Sequence, residues 1–212
     1  MNSGATTERV YEGLKHRLLS NLLRPGDRLD PAKLAGDLHS SVTPVRDALH
    51  LLTGERLVTT RVSDGFHVAG IDAPGLQDLY EWNAQILLAA LTSRQSAGPG
   101  ASAEDQAGPE RGAAALFLRI AAGSRNQEHR LAILSLNDRL SAARLCETHV
   151  LPAPDHETED LRILFEAGDM KGLRRAIVGY HRRRRKVAHE VVRLLYRQAP
   201  GDGFHKVDIG YV

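Results

Sequence analysis

The 212 residues carry 42% apolar and 25% charged side chains, enough for one large packed domain or two small ones. A formal net charge of +2 is compatible with nucleic acid but does not argue for it, so where the charge sits matters more than its sum. The lone cysteine, Cys146, excludes an internal disulfide and a cysteine-cluster zinc site, and no apolar run reaches the ~18 residues of a membrane span. The opening MNSGATTE lacks the basic and apolar regions of a signal peptide, so a cytoplasmic protein with no membrane partner is expected.

In chain order, Val10, Leu14 and Leu18 predict a helix over 8–23 that stops before Arg24-Pro25-Gly26. A short helix follows over 31–38, with Asp30 as N-cap and Pro31 in its first turn, where a missing N–H costs nothing. A third over 43–53 turns Val45, Ala48, Leu49 and Leu52 inward. Residues 57–60 and 66–68, joined through Ser63-Asp64-Gly65, read as a β-hairpin. Three helices and a hairpin make the plan of a winged helix-turn-helix over 7–70. After a hinge at 70–75 the periodic stretches are helical: 75–93, 112–122, 127–148, 156–167 and 170–197. Together they give a mainly α chain with a helical bundle over 75–197. Residues 96–112 are too polar and Gly/Pro-rich to order themselves, and 198–212 show no pattern.

In the last long helix, Leu173, Ile177, Tyr180, Val187, Val191 and Leu195 form the buried stripe, and Arg184 falls within it while Arg182, Arg185 and Lys186 point to solvent. A guanidinium on an apolar face needs a carboxylate, from the protein or from a ligand. Asn83 likewise sits in the stripe Leu79, Asn83, Ile86, Ala90, where its amide needs partners from a neighbouring helix or a ligand. No phosphate loop, dinucleotide fingerprint or nucleophile elbow is present, so no catalytic site is expected.

The stretch Pro25–Val68 resembles the DNA-binding domain of the GntR family of bacterial regulators. The matching elements are Pro25-Gly26 with Leu29, Leu34-Ala35 with Leu38, Ser41, Thr43-Pro44-Val45-Arg46, Ala48-Leu49, Leu52, Glu55, Leu57-Val58 and Gly65. The resemblance implies a dimer that binds double-stranded operator DNA. Lys33, Ser41, Thr43, Arg46 and Gly65 would be its contacts: Arg46 on a guanine edge or a phosphate, Ser41 and Thr43 on phosphates, and the wing glycine for close backbone approach. Ser41 and Thr43 also serve as helix caps, and Arg46 could instead pair with Asp47 or Glu55. Val42 and Asp64 stand where that family commonly has basic residues; a protein-interaction module with a degraded reader is therefore the alternative.

Residues 75–197 resemble the FCD ligand-binding domain of the FadR-type branch, an antiparallel bundle that also dimerises. The anchors are Asp78-Leu79-Tyr80-Glu81, Phe117 with Gly123-Ser124-Arg125-Asn126, and Gly168-Asp169 with His181. Many such domains hold a divalent metal through one aspartate and three histidines. Here those positions fall on Ala114, Leu118, Thr158 (with His156 nearby) and His181. Alanine and leucine donate no electron pair, so no metal and no cofactor are expected. An arginine and a glutamate usual in the first bundle helix are replaced by Asn83 and Leu87. The expected effector is a largely apolar small molecule, with Tyr80, Asn83, His181 and Arg184 as its candidate polar contacts.

Overall fold

The structure, a computed structural model, describes residues 3–20, 22–94 and 112–197. Apart from Gly112, the expected unordered segment over 96–112 lies outside the described residues, and so does the 198–212 tail. The chain divides into two compact units, one from residues up to Ile71 with the chain from Leu194, the other over Asp72–Arg193.

The first unit contains α1 (Ser3–Leu19), β1 (Arg28–Leu29), α2 (Pro31–Asp37), α3 (Val42–Gly54), β2 (Val58–Arg61) and β3 (Gly65–Val68). Spacings of three and four bring Val10, Leu14 and Leu18 of α1 against Val45, Ala48, Leu49 and Leu52 of α3. Leu34, Leu38 and Phe66 close the same core. Asp30 caps α2, accepting from the backbone N–H of Ala32 at 2.8 Å and of Lys33 at 3.3 Å. The strands form an antiparallel sheet in the order β1-β3-β2, with Phe66 opposite both Leu29 and Thr60.

Two features differ from the sequence expectation. The first helix runs from Ser3 to Leu19, not from residue 8 to near residue 23. Ser20 sends its hydroxyl back to the His16 carbonyl at 2.8 Å, and Leu23 packs on the core. The two-residue strand β1 was not expected, being too short to show a period. It is held to β3 by Gly26 N–H to Val68 O at 3.0 Å and Val68 N–H to Asp27 O at 2.9 Å.

The second unit is helical: α4 (Ala73–Thr92), α5 (Ala113–Ala122), α6 (Gln127–Glu147), α7 (Pro154–Glu166), α8 (Met170–Lys186) and the start of α9 (Ala188–Arg197). Asp72, Asn126 and Asp169 cap α4, α6 and α8 through their side chains. Helix α4 packs on α5, α6 and α8, and its stripe Leu79, Asn83, Ile86, Ala90 is buried as expected. The single helix expected over 170–197 is two, broken at Val187, whose N–H turns back to the carbonyls of Arg184 and Arg185. No proline, glycine or capping residue marks that break in the sequence.

Candidate DNA interface and buried polar cluster

Burial of Val45, Ala48, Leu49 and Leu52 leaves the opposite face of α3 to solvent, and Thr43, Arg46, Asp47 and His50 are exposed on it. Ser41 is the N-cap residue of α3, yet its hydroxyl makes no capping bond, so the helix's first N–H groups and that hydroxyl both remain available to an anion. Neither acid near Arg46 pairs with it among the described residues. Glu55 is engaged by Lys15 at 2.9 Å and by the Tyr11 hydroxyl, and no ion pair joins Arg46 to Asp47 among the described residues. Asp47, expected only as an ion-pair partner of Arg46, shares this face, and His50 was missed in the sequence although it lies four residues beyond Arg46. The His50 ring meets Phe66 edge-on at 4.9 Å, tying α3 to β3. Lys33 stands apart on α2, exposed.

The hairpin between β2 and β3 has a defined tip. Val62 is 98% exposed, and Ser63 takes a φ of 65°. Gly65 has a φ of 81°, and a Cβ there would meet nothing within 4 Å. Its requirement for glycine within this chain is therefore conformational, not steric. Asp64, the acidic departure in the wing, is locally compensated: its carboxylate lies 3.1 Å from His67 Nε2 and 3.9 Å from Arg61 Nη1. The charge is thus partly spent within the hairpin.

In the second unit the four candidate residues fall into a buried polar cluster. Arg184, 1% exposed, donates from Nε to Glu147 at 2.7 Å and from Nη1 to Glu157 at 2.6 Å, and its guanidinium lies over the Tyr180 ring at 3.2 Å. The Tyr80 hydroxyl donates to the other oxygen of Glu147 at 2.7 Å. The protein itself therefore supplies the carboxylates that Arg184 needs. Burial, with Glu147 beside it, pushes the Tyr80 phenol far up, so it stays a protonated donor. Glu157 also binds the exposed Arg183.

Asn83 and His181 form the other half. Burial holds the His181 imidazole down to about 3, so the ring is neutral and has one N–H. Its Nδ1 lies 2.8 Å from the Ile177 carbonyl and its Nε2 lies 2.9 Å from the Asn83 amide oxygen. Two acceptors cannot both be served by one N–H. A half-turn of the Asn83 amide resolves this: Nδ1–H donates to Ile177, and the amide NH₂ donates to Nε2. In either orientation one atom of the Asn83 amide, on a side chain with 0% exposure, has no partner among the described residues. Phe117 stacks on the His181 ring at 5.6 Å.

The residues do not fit the metal that the FCD resemblance implies. Ala114 and Leu118 lie on α5, Thr158 uses its hydroxyl on the Pro154 carbonyl, and His181 is occupied as described. Among the described residues no group of three or more His, Cys, Asp or Glu is placed to hold a metal ion. Elemental analysis of the purified protein is expected to give no stoichiometric zinc, nickel or manganese. One metal per chain that vanishes in His181→Ala would overturn this.

Glu147 and Glu157, the partners of Arg184, were missed in the sequence. Glu147 had a signal: it continues the buried stripe Ile133, Leu136, Leu140, Ala143 of α6 at helical spacing, where an acid must be paired. Glu157 had none, since it sits in the first turn of α7 with no apolar pattern around it.

Residues 6–68 match the family model "Bacterial regulatory proteins, gntR family". Over 61 residues the chain is 44% identical to the Nta operon transcriptional regulator of Aminobacter aminovorans, a stretch covering 29% of each chain. It is 27% identical over 71 residues to the HTH-type regulator YdhC of Bacillus subtilis, covering 34% of this chain and 32% of that one. The chain thus matches about a third or less of the length of these curated relatives. Among solved structures it resembles a GntR protein from Rhodococcus sp. RHA1 (TM-score 0.73, 17% identity, 87% of this chain and 97% of that one). It also resembles E. coli McbR/YncC (TM-score 0.61, 22% identity, with the same coverage). These two likenesses extend over both units and speak for the fold.

Proposed function

We propose, from the match of residues 6–68 to the gntR family model of bacterial regulatory proteins, that the chain is a sequence-specific DNA-binding transcription regulator acting as a homodimer in the cytoplasm. The observation that carries this reading is the outward face of α3: Thr43 and an unpaired Arg46 beside a helix N-terminus whose cap hydroxyl is uncommitted. In the major groove Arg46 reads guanine O6 and N7, Ser41, Thr43 and Lys33 take phosphates, and the Gly65 turn lies along the neighbouring groove. One recognition helix buries too little surface for operator affinity, so two copies read a pseudo-palindrome.

A gel shift with the promoter of the chain's own operon tests the reading. A salt-dependent complex, footprinting as two half-sites and outcompeting random DNA, is expected. Retardation no stronger than that of random DNA would leave the protein-interaction alternative.

The helical unit, in the same reading, receives an apolar, uncharged effector that completes the Asn83 amide beside His181, with the Tyr80–Glu147–Arg184 group as a fixed polar wall. The reading makes the protein a repressor: the effector lowers operator affinity by as much as it prefers the weak-binding state of the dimer. Neutral apolar metabolites are expected to release operator DNA. Release only by citrate-like acids with added divalent metal would refute the assignment.

A further inference from the structure

The cations of α8 separate into two groups. Its 17 residues include no acid, and its basic side chains are Lys171, Arg174, Arg175, Arg182, Arg183, Arg184, Arg185 and Lys186. Arg183 pairs with Glu157, Arg184 with Glu147 and Glu157, and Arg185 with Glu81 at 3.1 Å. Lys171, Arg174, Arg175, Arg182 and Lys186 have no carboxylate partner among the described residues. Among the described residues Arg174 donates to neutral acceptors, the Leu88 carbonyl at 3.3 Å and the Thr92 hydroxyl at 2.8 Å. The unpaired set is also a geometric set, because offsets of three and four place Lys171, Arg175, Val178, Arg182 and Lys186 on one outward face.

That face has a floor. Between α8 and α4, Leu88, Arg174, Arg175, Val178, Gly179 and Arg182 line an open groove of about 340 Å³. Val178 is 49% exposed, and Gly179 adds no side chain to fill the space. Apolar surface ringed by uncompensated guanidinium groups suits a ligand that is itself half apolar and half anionic. A second copy does not suit it, since a two-fold contact through this face would set the same cations against each other. Nucleic acid would satisfy the arginines but leave Leu88 and Val178 uncovered.

We propose that this groove binds a small organic anion with an apolar body. Arg175 and Arg182, with Arg174 behind them, hold the carboxylate, sulfonate or phosphate head, and Leu88, Val178 and Gly179 carry the body. The site is separate from the buried Asn83–His181 pair and does not depend on the operator reading.

The test titrates the intact protein with anilinonaphthalene sulfonate, an apolar anion, and with phenylnaphthylamine, its neutral analogue, reading fluorescence. The sulfonate is expected to bind saturably, and the Arg175→Gln/Arg182→Gln variant to weaken it about tenfold or more by removing charge-assisted hydrogen bonds. Affinity for the neutral dye stays the same. Thermal unfolding of the variant should match wild type, because loosened proteins also take up such dyes. Equal sulfonate affinity in both proteins, or equal loss for both dyes, overturns the proposal. So does sedimentation showing that the variant breaks a dimer, or a DNA duplex that displaces the sulfonate and loses its own binding in the variant.

Discussion

Replacing Arg46 by alanine is expected to weaken operator binding by roughly 1 to 3 kcal/mol, or roughly 5- to 150-fold, the worth of a bidentate base contact. The side chain is exposed on α3 and forms no ion pair among the described residues, so its loss should leave thermal unfolding unchanged. The whole effect should appear in DNA binding. Salt titration separates the two ways Arg46 can act. If it reads a base, Arg46→Ala lowers affinity for the operator but not for random DNA, and the slope of log affinity against log salt is kept. If it clamps a phosphate, both affinities fall and the slope shrinks by about one. Anisotropy with operator and random duplexes at several salt concentrations distinguishes them, and unchanged operator affinity removes Arg46 from the interface.

The first unit was legible because its signals are local. The Asp30 cap and the four-residue spacing of Val10, Leu14 and Leu18 each act over a few residues, and each is found in place. What was lost there was either too short for a period, as in β1, or an apolar residue beyond a helix end, as where Leu23 packs on the core although α1 stops at Leu19. In the second unit the helices were legible and their partnerships were not. The stripe placed Arg184 inside and demanded a carboxylate, but the two that answer, Glu147 and Glu157, lie 37 and 27 residues away on other helices. The demand is a property of one helix, while its satisfaction depends on how three pack together. The same holds for Asp64. Read alone it is an unpaired acid in the hairpin; in the fold, His67, three residues on in the same hairpin, holds its Nε2 3.1 Å from that carboxylate.

The buried group also sets the largest expected change in stability. Arg184→Met removes the one cation that pairs with Glu147 among the described residues, and Glu147, 2% exposed, would keep the Tyr80 hydroxyl as its side-chain partner there. An uncompensated buried charge costs about 3 to 5 kcal/mol. Glu157 suffers less, being nearer solvent and still held by Arg183. The chain's one tryptophan, Trp82, lies on α4 of the helical unit, so urea unfolding followed by its fluorescence reports on this unit. If the loss comes from the orphaned charge and not from packing, removing the charge should restore stability. Tyr80→Phe/Glu147→Leu/Arg184→Met replaces the three polar side chains that meet at Glu147 with apolar ones of similar size, and is expected to recover most of what Arg184→Met loses. A single variant as stable as wild type would show that Glu147 finds another partner. A triple variant no better than the single one would show that Arg184 matters chiefly as a packing element over Tyr180.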